Sequence, residues 1–272
     1  MRMKAWRIGL GVTMAVLGIL YLLPFVLVGL NAFKPRKAII RNPLALPDAW
    51  NVENFLQAME KMRFVESLMN SLIITAASVA LIVFFSAMAA YVLVRRPTRL
   101  KQFIFYALVA SMLIPFQALM IPLVKVYGSL GLLNSRLSLI YMYVGFGAPL
   151  AVFIYHGMIK AIPLELEEAA MMDGATRRQV FFRIVWPLLR PTTLSIVILD
   201  VLWIWNDFLL PSLVLPDSAR TLPLATYNFF GTYTVNYGPL MAGLVLTMLP
   251  VLLVYMFLQR YIISGVMQGS IK

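Results

Sequence analysis

The chain has 272 residues, of which 61% are hydrophobic and only 12% charged, and its formal net charge is +12. Soluble domains carry roughly 25% charged residues, so a surface this poor in charge belongs to an integral membrane protein. The absence of cysteine excludes disulfides, thiolate metal sites and cysteine nucleophiles, and 16 Pro with 15 Gly in no repeating pattern exclude collagen-like and disordered chains.

A bilayer core of about 30 Å needs about 20 apolar residues in a helix. Uncharged runs predict six spans, at about residues 8–30, 69–94, 103–124, 137–159, 191–216 and 238–259. The first run resembles a signal peptide, but its 23 residues exceed a secretory core of about 7–15 and no small-residue cleavage site follows. It is read as an uncleaved span. An even number of spans puts both termini on one side. Of the 23 Lys and Arg, 14 fall in the amino terminus, the loops after spans two and four and the tail. The positive-inside bias places those segments, and hence both termini, in the cytoplasm, with the inverted topology as the alternative that the basic stretch Lys34, Arg36, Lys37 and Arg41 leaves open. The basic excess is therefore an orientation signal, and nucleic acid is not expected as a partner.

The external segment, residues 31–68, contains Pro35, Pro43 and Pro47, then Phe55, Met59 and Met62 at helical spacing with Asn51 as a cap. It is expected to be a surface loop with one amphipathic turn at the interface.

The loop between spans four and five, residues 160–190, is the most polar part of the later chain. Pro163 suits a first helical turn, Glu165, Glu167 and Glu168 complement the amino-terminal end of the helix dipole, and Gly174 suits a left-handed terminator. A helix from about Leu164 to Asp173 follows. Thr176 and Gln179 form a capping-box pattern for a second helix, on which Phe181, Ile184 and Val185 share an apolar stripe and Arg177, Arg178 and Arg183 carry positive charge. Two amphipathic helices with Ala169, Ala170, Gly174 and Ala175 at the turn suit a surface that docks into a partner's groove. On the same pattern, the acidic and basic halves would instead pair with each other and merely cap the bundle.

Within span five, Asp200 lies about 13 Å from the span's start, near mid-membrane. An ionised group there costs about 3 kcal/mol or more, so it is expected to face the bundle interior or a wet cavity. Asn206 and Asp207 lie about 24 Å along the span, near the outer interface, where Trp203 and Trp205 suit an aromatic belt. Pro115, Pro122, Pro149, Pro211 and Pro250 interrupt spans three to six and mark sites where freed backbone groups line a cavity or meet another helix. His156 is the only histidine, so no metal site is expected.

Glu168-Ala169-Ala170, Gly174, Ile184 and Pro187, with the intervening spacings of three, nine and two residues, resemble the EAA signature of ABC importer permeases, with Trp186 where a leucine is more usual. Asn70-Ser71, Trp205-Asn206-Asp207-Phe208, Thr221-Leu222-Pro223-Leu224 and Gly265-Val266-Met267-Gln268-Gly269 extend the similarity to the smaller permease of carbohydrate importers, the maltose type. The resemblance implies an all-α integral membrane protein of the type I permease fold, a single domain over residues 1–272 with six transmembrane helices, a cytoplasmic helix-turn-helix coupling loop and a cytoplasmic tail, residues 264–272. It further implies that Glu168, Ala169, Ala170, Asp173, Gly174, Ala175, Arg177, Phe181, Ile184 and Pro187 couple the chain to an ATPase. Asp200, Asn206 and Asp207 are candidates for the pathway or for substrate contact.

The partners implied are a second homologous permease, two cytoplasmic ATPase subunits, an external solute-binding protein, a sugar and membrane lipid, in a bacterial or archaeal cell membrane. ATP and Mg2+ would be bound by the ATPase subunits and no cofactor by this chain, which contains no GxxxxGK[ST] phosphate loop. A secondary transporter using Asp200 is the alternative; it predicts an internal repeat, and none is evident. A membrane-embedded enzyme is the other, without an HExxH or GxSxG pattern to support it.

Overall fold

The computed structural model describes residues 2–231 and 234–269, with side chains for residue 6 and for residues 9–257 apart from 232 and 233. The proposed cytoplasmic tail, including the 265–269 motif, and the basic residues Arg2, Lys4, Arg7, Arg260 and Lys272 have side chains outside the described residues. The chain is built from helices: α1 Arg2–Asn31, α2 Arg36–Arg41, α3 Glu53–Lys61, α4 Phe64–Arg95, α5 Arg99–Ser111, α6 Phe116–Ser129, α7 Arg136–Ala161, α8 Leu164–Met172, α9 Arg177–Leu188, α10 Arg190–Asn206, α11 Leu209–Val214, α12 Leu222–Ala225 and α13 Tyr237–Gly269. Among the described residues the only β pairing is an isolated bridge, Phe230 with Val235.

Four single helices are long and apolar enough to cross a bilayer: residues Gly9–Asn31 of α1, α4, α7 and Tyr237–Phe257 of α13. Two bent pairs pass the same test when each is taken as one span, which gives up to six. Helices α5 and α6 meet at 105°, and α9 and α10 at 71°. The straight third span expected over residues 103–124 is thus broken between Ser111 and Phe116. Pro115 explains the position: it lacks an N–H, forces the preceding residue out of helical backbone, and stands in extended conformation as the cap of α6. The other prolines act differently. Pro122, Pro149 and Pro250 lie inside continuous helices. The fifth span also ends early, α10 stopping at Asn206 and a short α11 beginning at Leu209.

The chain divides into two compact units, residues 1–67 with 225–250 and residues 68–224 with 251–272. In the first unit the segment after α1 is not a loose loop. Asn31 donates to the carbonyls of Leu27 and Pro43, the buried Lys34 ammonium donates to the carbonyls of Asn42 and Pro43, and Asn54 donates to those of Ala32 and Lys34. Phe33 packs between Trp50 and Phe55 at 5.0 Å from each ring. The expected Asn51 cap is displaced: Val52 is the capping residue of α3 and makes no side-chain cap bond, while Asn51 Oδ1, one residue outside the helix, accepts from Glu53 N at 2.9 Å. Gly238 lies against Asn54, where an added Cβ would stand 2.5 Å from Oδ1.

The second unit holds the core. Ile74, Ile82, Ala87 and Ala90 of α4 pack with Leu139, Tyr143, Ala151, Tyr155 and Ile159 of α7, joined by Val180, Val185, Leu189, Ile196 and Ile204 from the loop and α10. Gly147 admits this close packing: a Cβ there would stand 2.6 Å from Ile82 Cδ1. At about 1.5 Å per residue, α4 spans about 48 Å, and different segments tie to its two ends. At its start Asn70 donates to Arg220 O at 3.1 Å and Ser71 Oγ accepts from Leu222 N at 2.8 Å. The two short motifs Asn70-Ser71 and Thr221-Leu224 therefore meet in space. At its far end, Tyr91 and Arg95 meet the polar loop. The 217–222 segment and the 160–190 loop consequently lie at opposite ends of one membrane-crossing helix.

Candidate functional site: the polar hairpin and the Asp200 cavity

The loop folds as the sequence predicts, into a helix, a glycine turn and a second helix. Helix α8 is capped by Pro163 and ends at Asp173. Gly174 follows at φ +87°, a left-handed backbone that a side chain strains, and Ala175 N then donates to Ala170 O at 2.9 Å. Thr176 and Gln179 make both halves of the capping box that opens α9. From Phe181 to Val185 the turns widen, with Trp186 N bonded to Phe181 O. Pro187 accounts for the widening, because its ring would collide with the carbonyl four residues back in a regular helix. Trp186, the departure from the usual leucine, packs its ring on Phe84 of α4 at 6.2 Å and on Phe181 at 5.8 Å.

The hairpin has two faces. Phe181 and Val185 are buried, and Ala170, Ala175 and Trp186 pack against the core. Glu168, Ala169, Asp173, Gly174, Arg177 and Pro187 are exposed, and Ile184 is half-buried. The exposed face also carries Leu164, Leu166, Met171 and Met172, the last 88% exposed. Among the described residues no ion pair joins the acidic half to the basic half; the pairs are Arg63 with Glu66, Arg95 with Glu167 and Arg220 with Asp217. Glu167, which the sequence pattern used only as a charge near the helix start, turns inward and is 3% exposed. Its Oε2 accepts from Tyr91 Oη at 2.7 Å and its Oε1 from Arg95 Nε at 2.7 Å. Tyr91 and Arg95 stand four residues apart on one face of α4. That spacing is the signal in the sequence, but it looks the same as interfacial anchoring until the partner is known.

Span five carries a second candidate. Asp200 is 4% exposed and its Oδ2 has no hydrogen-bond partner among the described residues. It lines a cavity of about 580 Å³ within the second unit, bordered by the α5–α6 bend, by Tyr141, Gly145 and Phe146 of α7 and by Trp203 of α10. Asn206 and Asp207 are not brought to that cavity. Asn206 donates to Leu202 O in its own helix at 2.7 Å. Asp207 accepts from Tyr143 Oη at 2.9 Å and from Leu209 N at 3.0 Å, so it ties α7 to the break and starts α11. It also borders a smaller void of about 220 Å³ with Phe116, Gln117, Phe146 and Trp203. The expected aromatic belt is corrected in one member: Trp205 is 3% exposed and belongs to the interior, while Trp203 is 41% exposed and meets Tyr143 edge to face at 5.5 Å. His156 stacks on Phe105 at 3.9 Å.

Comparison with known proteins gives the fold and the family. The profile of the family described as binding-protein-dependent transport system inner membrane component matches residues 82–268. A probable starch degradation products transport system permease of Thermoanaerobacterium thermosulfurigenes is 41% identical, covering 94% of each chain. A multiple sugar-binding transport system permease of Streptococcus mutans is 35% identical over 96% of this chain and 95% of its own. Among solved structures, a chain of a bacterial ABC transporter involved in import of the acidic polysaccharide alginate superposes with a TM-score of 0.82 at 21% identity, covering 95% of this chain and 96% of that one. These matches favour binding-protein-dependent transport over a self-contained secondary transporter. The protein is a multi-pass membrane protein, and its chain belongs to the family of binding-protein-dependent transport system inner membrane components.

Proposed function

We propose that this chain is the permease subunit of an ATP-driven importer of oligosaccharides, forming half of the translocation pathway beside a second, homologous permease. Two cytoplasmic ATPase subunits would bind ATP and Mg2+ and receive the hairpin, and an external solute-binding protein would deliver the sugar. Both termini would lie in the cytoplasm of a bacterial or archaeal cell, with the membrane crossed six times. The relatives named above carry starch degradation products and multiple sugars in their descriptions, which supports the substrate class.

The observation that carries the coupling role is the two-faced hairpin. Its inner face is fixed to the core while Glu168, Asp173, Gly174, Arg177 and the apolar Met171 and Met172 stand exposed, a mixed surface suited to a groove on another protein. Closure of the ATPase dimer on ATP would press on this surface. Helix α9 continues through its 71° bend into α10, so movement of the hairpin would reach the helix that carries Asp200. Asp200 and its cavity would then belong to the pathway: a buried carboxyl whose Oδ2 has no partner among the described residues is suited to accept hydrogen bonds from hydroxyls, and aromatic walls suit the apolar faces of sugar rings. Asn206 and Asp207 would support the outer end of the same helix.

The test is substitution of Glu168 and Gly174 together, in the assembled transporter. Sugar uptake should be lost; uptake that persists with the ATPase bound normally would overturn the coupling role. For orientation, Arg177→Cys and Arg220→Cys in this cysteine-free chain should give no labelling of intact cells at position 177 and labelling at position 220. The reverse pattern would invert the topology.

A further inference from the structure

Glu167 stands at the first turn of α8, beside Glu168, yet the two carboxylates point opposite ways: Glu168 is exposed and Glu167 is buried. Each oxygen of Glu167 accepts one short hydrogen bond from α4, from Tyr91 and from Arg95. Arg95 reaches further. Its second nitrogen donates to Ile162 O at 2.9 Å, at the residue where α7 has just ended. Tyr91 also carries the other half of the hairpin, its ring 5.0 Å from that of Phe181 in α9. The last turn of α4 is thereby bound to the end of α7, to α8 and to α9.

This cluster differs from every other ion pair among the described residues. Arg63 with Glu66 and Arg220 with Asp217 are pairs three residues apart with at least one exposed member, whereas Arg95 with Glu167 joins residues far apart in sequence, at 14% and 3% side-chain exposure. A desolvated pair with every strong acceptor filled holds one geometry, because opening it would leave a charge buried and unpaired. The covalent path from the hairpin runs only into α7 and α10. Helix α4 receives displacement of the hairpin only through noncovalent contacts, and this pair is the directional one.

We propose that Tyr91, Arg95 and Glu167 form a latch through which the hairpin moves α4, so that these three are positioning residues for coupling rather than contacts to the ATPase. The proposal rests on the coupling role given to the hairpin above. It predicts that the latch stays closed as the hairpin is displaced, and that its loss separates ATP hydrolysis from transport.

The experiment uses the complete transporter, with its ATPase and binding protein, in proteoliposomes, and reads three quantities: ATPase retained on purification, ATP hydrolysed, and sugar transported. For Glu167→Gln the ATPase should be retained at the level of the unmodified transporter and hydrolysis should continue, while sugar moved per ATP falls roughly tenfold, within the range over which residues along a coupling route act. Tyr91→Phe removes one hydrogen bond and keeps the ring contact; it should lower the same ratio about threefold. Glu168→Gln, on the exposed face, should instead reduce retention of the ATPase. Should Glu167→Gln and Tyr91→Phe both leave sugar per ATP unchanged while the ATPase is retained, the latch is wrong and the docking role stands. If Glu167→Gln sheds the ATPase as Glu168→Gln does, Glu167 is part of the docking structure and the latch is likewise wrong. If the unmodified chain retains no ATPase, the docking role itself fails.

Discussion

Glu167 and Asp200 are buried alike, at 3% and 4% exposure, in opposite electrostatic circumstances. Glu167 has a guanidinium and a phenol on its two oxygens; Asp200 leaves Oδ2 without a partner among the described residues, at the edge of a cavity. Burial therefore does not tell what a carboxylate is for. A satisfied one fixes geometry, and an unsatisfied one is held against its own solvation energy by the surrounding fold. The hairpin is tied to the core on its inner face and exposed on its outer one, and the cavity is walled by apolar side chains around one carboxyl.

That contrast breaks most visibly in the sign of a stability change. Glu167→Ala leaves the Arg95 guanidinium buried with only the Ile162 carbonyl, and should destabilise the protein by about 3 to 5 kcal/mol, read from unfolding of the purified protein in detergent. Asp200→Leu should do the reverse, raising stability by about 1 to 3 kcal/mol as a polar group with an unpartnered oxygen leaves the membrane interior, while sugar transport falls. A loss of stability on Asp200→Leu would mean that Asp200 is satisfied in the assembled transporter, and the contrast would collapse.

Smaller substitutions sharpen it. Gly147→Ala drives a methyl to 2.6 Å from Ile82 Cδ1, between α4 and α7, and should cost about 1 to 2 kcal/mol. Gly145→Ala, which borders the same cavity as Gly147 but faces no neighbour within 4 Å, should be neutral or gain up to about 1 kcal/mol in helix propensity. Equal costs at the two positions would mean that the cavity is closed. Thr176→Ala removes the capping box and should loosen α9 by about 1 kcal/mol, visible as faster hydrogen exchange over residues 177–180. Arg63→Ala, in an exposed pair, should change stability by no more than about 0.5 kcal/mol and serves as the baseline for a charge whose burial is incomplete.

Much of this molecule is written locally. The 20-residue apolar requirement of the bilayer, the proline at 163, the capping box at 176 and the left-handed glycine at 174 each depend on neighbours within a few residues, so they can be read from order alone and the structure carries the hairpin where they put it. The breaks in spans three and five are less legible, because Pro115 stands at a 105° bend while Pro122, Pro149 and Pro250 lie within unbroken helices. A proline removes the same hydrogen bond everywhere; whether the helix breaks depends on what packs beside it.

By itself, then, the sequence determined membrane residence, helical content, the hairpin and the resemblance to ABC importer permeases, all consequences of composition, period and short-range capping. Tertiary structure alone decided which of Glu165, Glu167 and Glu168 turns inward, that the partner of Glu167 is Arg95, 72 residues earlier, that Trp205 is core while Trp203 is exposed, and that Asp207 is tied to Tyr143 while Asp200 leaves Oδ2 unpartnered among the described residues. Those choices depend on which faces of distant helices meet, and a side chain's burial and partners are properties of that meeting rather than of its own neighbourhood in the chain.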